Sequence, residues 1–396
     1  MSRAPEAEAP LIYLLTGEAS GDVLGARLLA RLREHRPDLR FAGVGGERMA
    51  EAGFRSLFPM AELALMGLLE VLPNLRRLSR RLDETLADIT ARRPAVVVSI
   101  DAPSFTLRVA RRIRHLGIPV VHYVAPQVWA WKPWRVRQIR EEVDEILALL
   151  PFEAPFFERA GIPVTFVGHP VLEGGADTGD AARFRARHGI APNETVVLVM
   201  PGSRRTEVQR LLPIFGEALR RTAAAVPRLR PVVPLAGPVE STVRAVAATW
   251  HPAPILIRDV ADKHDAFAAA AVGLIKSGTS SLEVAVAGVP MAVGYRVNPV
   301  TAAIVRRLIK VRFASIVNLL ADDAVIPEYL QERCTPELLA AELTRLLQDP
   351  SAAAAQRDGF RRVLGLLRPE AGLPSEAAAQ AVLRRLPPAA TEGGTA

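Results

Sequence analysis

Residues 277–283, Ser-Gly-Thr-Ser-Ser-Leu-Glu, carry the clearest chemical signal in the chain. They follow an apolar run and precede a short helical pattern, which predicts a strand, a tight turn at Gly278 and a helix. The three hydroxyl groups after the glycine would then lie at a helix N-terminus, where unpaired N–H groups favour an anion. Glu283, one turn later, could bind a sugar attached to that anion. The pattern predicts a nucleotide-sugar site, with an ordinary helix cap as the alternative.

A second unit of this kind occurs earlier in the same half of the chain. The apolar run Thr195–Met200 leads into Pro201-Gly202-Ser203-Arg204-Arg205-Thr206-Glu207. An arginine beside a helix start could neutralise the oxygens of a diphosphate, and solvent exposure of Arg205 is the plainer alternative. Two such turns in one domain favour the nucleotide interpretation over two unrelated caps.

Acidic side chains follow two predicted strands of the first half. After the first strand comes Gly17-Glu18-Ala19-Ser20-Gly21-Asp22, and after the third comes Asp101-Ala102-Pro103-Ser104. An acid at the tip of a buried parallel strand is unfavourable unless it is paired or lies in a cleft. Asp101 is therefore a candidate general base. Helix capping is the alternative for Ser20, Asp22 and Asp101.

Aromatic and apolar segments offer further candidate surfaces. Residues 122–134 contain three of the four tryptophans and are followed by arginines, so they could stack nucleic-acid bases or line a cleft for sugar and lipid. Trp129 and Trp131 could equally be core residues, and His122 is expected to be structural. Residues 62–75 are apolar and precede four arginines, a pattern typical of a membrane interface or of a core helix with a solvated end.

These motifs need a frame that brings them together. Apolar runs alternate with helical periodicity in two series, which predicts an α/β protein with two Rossmann-like domains of parallel strands and a site near the carboxyl ends of the strands, in the cleft. We predict domains over residues 9–172 and 173–365 and a C-terminal helix with a polar tail over 366–396. The strands are predicted at 11–16, 40–44, 95–100, 119–124, 164–167, 195–200, 231–235, 254–257, 272–275 and 291–293.

Composition narrows the classes of protein further. The chain has 396 residues, a formal charge of +8 and a single cysteine. It has no apolar run near the roughly 20 residues that span a bilayer and no apolar signal-peptide core at its start, so we expect a cytoplasmic protein with an anionic partner. Paired-cysteine, His-Glu-x-x-His and Asp-x-Asp patterns are absent from the sequence, so no metal site is predicted.

Together these segments resemble the lipid-A-disaccharide synthase family of bacterial glycosyltransferases. The GEASGD and VWAW segments are specific to this family, whereas the SGTSSLE type recurs among glycosyltransferases with two Rossmann-like domains. The matching segments keep the family's order over residues 11–335: GEASGD (17–22), FAGVGGERM (41–49), LMGLLEVLP (65–73), SIDAPSF (99–105), HYVAPQVWAW (122–131), LPFE (150–153), VGHPV (167–171), PGSRRTEV (201–208), KSGTSSLE (276–283), PMAVGYR (290–296) and NLLA (318–321).

The resemblance implies a GT-B fold and an inverting transfer. A 2,3-diacylglucosamine would move from UDP to the 6-hydroxyl of 2,3-diacylglucosamine 1-phosphate, giving lipid A disaccharide 1-phosphate and UDP. The family requires no metal, and we expect no other cofactor and no nucleic-acid partner. The resemblance further implies a peripheral location on the inner face of the inner membrane of a Gram-negative cell, and a homodimer is possible within the family.

The resemblance also suggests roles for individual residues. Asp101 would be the general base and Glu18 a second catalytic carboxylate. Nucleotide contacts are expected from Ser203, Arg204, Ser277, Gly278, Thr279, Ser280, Glu283 and Asn318. Acceptor and lipid contacts are predicted for Ser20, Asp22, Met66, Gln127, Trp129 and Trp131.

Two departures from the family pattern qualify these assignments. Ser104 stands where many relatives carry a second acid, and residues 315–317 before Asn318 read Ser-Ile-Val instead of Ser-Leu-Pro. Another GT-B sugar-nucleotide enzyme, of the murein glycosyltransferase or UDP-N-acetylglucosamine epimerase type, is the alternative. A basic RNA- or lipid-binding protein would explain the arginines but not the two phosphate turns and the carboxylates.

Overall fold

The computed structural model describes residues 9–63, 68–131, 133–298, 302 and 312–386. The strands are β1 (Leu11–Thr16), β2 (Arg40–Val44), β3 (Val96–Ile100), β4 (Val120–Tyr123), β5 (Glu145–Ala148), β6 (Val164–Phe166), β7 (Thr195–Met200), β8 (Leu229–Pro234), β9 (Ile255–Ile257), β10 (Val272–Lys276), β11 (Met291–Tyr295) and β12 (Glu328–Leu330). The α-helices are α1 (Ala19–His35), α2 (Glu47–Glu51), α3 (Leu68–Arg92), α4 (Pro103–Ile113), α5 (Val128–Trp131), α6 (Val136–Glu142), α7 (Glu153–Glu158), α8 (Ala181–His188), α9 (Arg205–Ala225), α10 (Glu240–Ala247), α11 (Val260–Ala269), α12 (Ser280–Val286), α13 (Ile316–Ala321), α14 (Pro336–Gln348), α15 (Pro350–Leu366) and α16 (Pro374–Leu383).

The described residues form two compact units, each built on one parallel sheet of six strands. The first unit comprises the chain up to Pro170 and from Leu367 on, and the second comprises Val171–Leu366. The sheet orders are β2-β1-β3-β4-β5-β6 and β12-β11-β10-β7-β8-β9. This confirms the predicted α/β class with two parallel sheets. Strands covered by helices on both faces are continuously apolar, which is why the runs at β1 and β7 stood out in the sequence.

In the first unit, the chain passes from β1 to β2 on one side and then to β3 on the other. The two neighbours β1 and β3 pair in parallel, with Thr16 opposite Ile100. At such a reversal of strand order the following loops diverge and leave a crevice at the carboxyl ends of the strands. The turns that begin at Gly17 and Asp101 both leave the sheet there.

In the second unit the same reversal lies between β7 and β10, where Met200 pairs with Ile275. The two predicted phosphate turns, 201–207 and 276–283, follow these strands directly. The sheet topology therefore brings together two segments that are about 75 residues apart in sequence.

Each unit has its own apolar core between the sheet and its helices. In the first unit Tyr13, Val97 and Ile146 pack with Ile89 of α3 and Phe105 of α4. Val197, Leu211, Phe215, Leu274 and Leu343 share the core of the second unit. Burial of one such side chain contributes roughly 1.5–3 kcal/mol, so both sheets are firmly held beneath their site loops.

The described residues after Leu366 return to the first unit, whereas the sequence predicts 366–396 as a part of its own. Helix α16 packs against α1, and His35 Nε2 lies 2.6 Å from Glu376 Oε1. Arg385 Nε lies 2.6 Å from Oε2 of Glu145, a buried residue of β5. Strand β5 was not among the predicted strands, and the partner of its charged first residue lies 240 residues later in the chain.

Candidate functional site

The turns after β1 and β3 bring Ser20 and Asp101 together. The Ser20 hydroxyl donates to Oδ2 of Asp101 at 2.8 Å, and the N–H of Ala102 donates to Oδ1 at 2.9 Å. Asp101 is half-buried, while Ser20 and Glu18 are exposed. Because its oxygens are oriented by the chain and remain near solvent, the Asp101 carboxylate can accept a proton from a bound hydroxyl group.

The backbone at this carboxylate is strained. Asp101 and Ala102 have φ values of 53° and 45°, in the left-handed region, where a residue other than glycine costs about 1–3 kcal/mol. The Asp101 N–H donates to the Tyr123 carbonyl at 2.9 Å, and the Thr106 hydroxyl donates to the Asp101 carbonyl at 2.8 Å. Such over-determined strain is typical of functional sites, and here it fixes the direction of the Asp101 side chain.

Gly17 permits the close approach of these two turns, because a Cβ there would lie 2.7 Å from the Cβ of Ala102. We expect Gly17→Ala to push the turns apart and separate Ser20 from Asp101. The free energy of unfolding should fall by about 1–3 kcal/mol, the usual effect of overpacking, and turnover should fall with it. Thermal unfolding and UDP release measure the two effects.

The control for this variant is Gly365→Ala in α15, where an added Cβ would meet no atom within 4 Å. It should retain activity and, since alanine favours a helix over glycine by roughly 0.5–1 kcal/mol, lose no stability. A Gly17→Ala protein as stable and active as its parent would contradict the close packing of the two turns.

Asp22 has a different position from its neighbours in the GEASGD segment. Its side chain is buried, with Oδ1 accepting from the N–H groups of Gly46 and Met49 at 2.8 and 3.1 Å and Oδ2 from that of Arg48 at 2.8 Å. The carboxylate therefore holds the start of α2 rather than capping its own helix α1. This geometry gives Asp22 a positioning role, and its predicted contact with the acceptor stays a prediction.

Trp129 connects two of the family-like segments. Its Nε1 donates to Oε1 of Glu153 at 3.2 Å, and its ring meets Phe152 edge-on at a centroid distance of 4.8 Å. Oε2 of Glu153 also accepts from the N–H groups of Leu149 and Leu150. Burial raises the pKa of Glu153 to about 7, against these hydrogen bonds. No role was predicted for Glu153 from the sequence. In the structure its carboxylate orients the indole of Trp129.

The other predicted acceptor residues are less closely defined. Gln127 is exposed just before α5, and Trp131 ends that helix. Met66 lies outside the described residues, together with residues 64, 65 and 67 of the same apolar segment. In the described part of that segment, Glu62 Oε1 lies 2.6 Å from Arg81 Nη2.

His122 is a core residue, as expected. Its Nδ1 lies 2.7 Å from the Ser99 hydroxyl on the neighbouring strand, and burial lowers the pKa of the imidazole to about 4. The ring is therefore neutral at physiological pH, and its role is structural, within the core between neighbouring strands.

In the second unit, Glu207 and Lys276 join the two phosphate turns. Lys276 Nζ lies 3.2 Å from Oε1 of Glu207, and Arg204 Nη1 lies 3.5 Å from the same oxygen. Gly202 has a φ of 107°, and a Cβ there would lie 3.2 Å from Oε2 of Glu207. Ser203 and Arg204 are exposed at the start of α9. Both charged partners belong to the sequence motifs 201–208 and 276–283, but no role was predicted for either of them.

The turn at 277–280 is supported by a separate network. The Ser277 hydroxyl donates to the Ala314 carbonyl at 2.8 Å, and Oε2 of Glu328 accepts from the Ala314 N–H at 2.9 Å. Gly278 and Ser280 are half-buried, and Thr279 is exposed as the residue before α12.

Asn318 belongs to this support. Its Nδ2 donates to the Ile326 carbonyl at 2.7 Å and to Oε1 of Glu328 at 2.9 Å, and its Oδ1 accepts from the Ile326 N–H at 2.8 Å. With the side chain buried and the amide bonded at both ends, this geometry gives Asn318 a positioning role. A direct contact with the nucleotide stays a prediction.

Glu283 lies on α12 with its carboxylate paired. Oε2 accepts from Lys263 Nζ of α11 at 2.7 Å, and the side chain is 38% exposed. An exposed, oriented carboxylate suits the predicted role in binding ribose hydroxyls.

Two features are absent from the described ranges: a cluster of metal ligands and a membrane-spanning helix. Among those residues, His, Cys, Asp and Glu form no group of three or more suited to holding a metal ion. Within the same part of the chain, every helix is too short or too polar to cross a bilayer.

Comparison with known proteins agrees with the motifs. The family model described as lipid-A-disaccharide synthetase matches residues 12–382. The lipid-A-disaccharide synthase of Granulibacter bethesdensis is 53% identical over 389 residues, covering 96% of this chain and 99% of the relative.

Solved structures show the fold. A UDP-GlcNAc 2-epimerase from Neisseria meningitidis bound to UDP-GlcNAc aligns with a TM-score of 0.64 at 14% identity, over 94% of this chain and 98% of that one. The glycotransferase of kitacinnamycin aligns with a TM-score of 0.62 at 18% identity, over 96% and 100%. The fold is thus of the GT-B type, and the family match over nearly the whole length, with the family's motifs at both switch points, means that the chain belongs to the lipid-A-disaccharide synthase family.

Proposed function

We propose that the chain transfers 2,3-diacylglucosamine from UDP to the 6-hydroxyl of 2,3-diacylglucosamine 1-phosphate. The reaction is inferred from the names of the relatives. Its chemistry in this chain is inferred from one structural observation. Asp101, held by Ser20 in a strained turn, offers an oriented carboxylate at the switch point of the first unit. The products are lipid A disaccharide 1-phosphate and UDP.

The transfer inverts the anomeric centre in a single displacement. The 6-hydroxyl oxygen forms a bond to the anomeric carbon as the bond from that carbon to the β-phosphate oxygen breaks. Asp101 takes the hydroxyl proton, and the electron pair of the broken bond stays on UDP. Glu18 acts as a second carboxylate at the same turn, and Ser20 keeps Asp101 in position.

The leaving UDP is held by the second unit. Arg204 neutralises the diphosphate, with Ser203 and residues 277–280 supplying hydroxyl and N–H donors. Glu283 binds the ribose, and Asn318 supports the neighbouring turn. This set of donors lets the reaction proceed without a metal or another cofactor.

The acceptor and its acyl chains lie against the first unit. Trp129, oriented by Glu153, offers an amphipathic ring. Gln127 and Trp131 are its neighbours in sequence, and Met66 belongs to the separate apolar segment 62–75. The arginines of α3 suit an anionic lipid surface, so we propose a peripheral location on the inner face of the inner membrane. A homodimer is also proposed from the resemblance alone.

The test uses the purified full chain with both acylated sugars. UDP release should depend on both substrates and continue in a chelator, and mass spectrometry should detect the disaccharide phosphate. Absence of UDP release with and without divalent metal would refute the proposal. Faster turnover of UDP-N-acetylglucosamine than of the diacylated donor would favour an epimerase or murein glycosyltransferase type of activity instead.

A further inference from the structure

A half-buried lysine lies where the two turns of the second unit meet. Lys276 is the last residue of β10, and its side chain is 17% exposed. The side chain of Glu207, in the first turn of α9, is 7% exposed. Burying an ammonium group in this way is unfavourable unless an anion accompanies it.

The packing around Lys276 directs its ammonium group towards both turns. Its Cγ and Cδ lie 3.5 Å from the position that a Cβ would take at Gly202, and its Nζ lies 3.3 Å from the corresponding position at Gly278. The Nζ also lies 5.4 Å from the ring centroid of Tyr295. The lysine therefore spans the gap between the turn at 201–207 and the turn at 276–283.

The charged groups around Glu207 carry a net positive charge. Two cations, Lys276 and Arg204, approach the same oxygen of Glu207, at 3.2 and 3.5 Å. One carboxylate therefore faces two positive groups, and a further anion would be favoured beside them. Burial lowers the pKa of the Lys276 ammonium, Glu207 opposes this effect and Arg204 adds to it. An incoming anion would stabilise the charged form of the lysine.

We propose that Lys276 is a diphosphate-binding residue, which contacts the phosphate oxygens of the nucleotide next to Arg204. The inference rests on the proposed function, because it assumes a UDP-sugar at these turns. As the bond from the anomeric carbon to the β-phosphate oxygen breaks, the negative charge on that phosphate grows. A fixed ammonium group in a poorly solvated position stabilises this charge more than a solvated one does.

The experiment compares UDP with uridine as ligands of the purified chain. Lys276→Met keeps the apolar stem and removes the charge, so its affinity for UDP should fall about 10-fold, the effect of one charge-assisted hydrogen bond. Its affinity for uridine, which has no phosphate, should stay within about 2-fold of the parent. Arg230→Met is the matched control, because it removes another cation paired with a glutamate of the same unit, Glu194. It should leave both affinities unchanged.

A purely structural lysine would only neutralise Glu207, so the decisive comparison is made in the Glu207→Gln background. There Lys276 has no carboxylate to neutralise, and the double variant leaves no buried charge without its partner, which also guards against misfolding of Lys276→Met. Weaker UDP binding by the double variant than by Glu207→Gln supports the proposal, and equal binding overturns it. A parent chain that binds no UDP would instead refute the proposed function.

Discussion

Replacing Asp101 with asparagine is expected to lower turnover by about 10²–10⁴-fold, the usual contribution of a general base. The substitution should preserve the local structure. Asparagine tolerates the left-handed φ of 53° found here. Its Oδ1 can still accept from the Ala102 N–H, and its Nδ2 can donate to the Ser20 hydroxyl oxygen, which now donates to the carboxylate. UDP affinity should therefore stay close to that of the parent, and single-turnover kinetics with saturating substrates measure the loss.

Two further variants test whether this loss is specific. Asp38→Asn removes an acid paired with Arg36 elsewhere in the first unit, and it should leave turnover unchanged. Glu18→Gln removes the other candidate carboxylate of the same site. Near-normal turnover of Asp101→Asn, together with a large loss in Glu18→Gln, would transfer the role of the base to Glu18.

Replacing Arg204 with alanine is expected to weaken UDP binding by about 10- to 100-fold, because a guanidinium group can make paired bonds to phosphate oxygens. The side chain is 68% exposed and its contact with the Glu207 carboxylate is long, at 3.5 Å. It is therefore available to a ligand, and its removal should affect stability little. Titration calorimetry with UDP and with uridine measures the effect.

Arg205→Ala is the control for this prediction. Arg205 is also exposed and begins α9, one residue after Arg204, so the two variants remove the same charge from almost the same place. UDP affinity of Arg205→Ala should stay within about 2-fold of the parent. Equal losses in the two variants would indicate a general electrostatic attraction rather than a specific contact.

Uniformly apolar strands were the easiest to predict from sequence. The predicted limits of β1 and β7 agree with the structure, because strands covered on both faces need apolar residues throughout. The limits of β2 also agree, although this edge strand begins with the exposed Arg40. The two strands that were missed, β5 and β12, each begin with a glutamate. Glu145 and Glu328 are stabilised by partners from distant segments, Arg385 and the N–H groups of Ala314 and Ser315, which no local pattern reveals.

The candidate site likewise combines local features that can be predicted from the sequence with long-range contacts that cannot. The chemistry of the turns can be read from the local sequence: small and hydroxyl residues after apolar strands, the acids at 18 and 101, and the arginine at 204. Those features are local, since a tight turn or a strand end selects residue types within a few positions.

Which of these groups act together depends on the tertiary structure. In the folded chain Ser20 lies against Asp101, and the carboxylate of Asp22 accepts hydrogen bonds from three N–H groups of another turn. The amide of Asn318 forms its hydrogen bonds within the protein. Glu207 is also the shared partner of Arg204 and Lys276. The physical reason is that parallel strands with a reversal in their order collect loops from distant parts of the sequence at one edge, where burial and charge pairing depend on neighbours that the sequence does not identify.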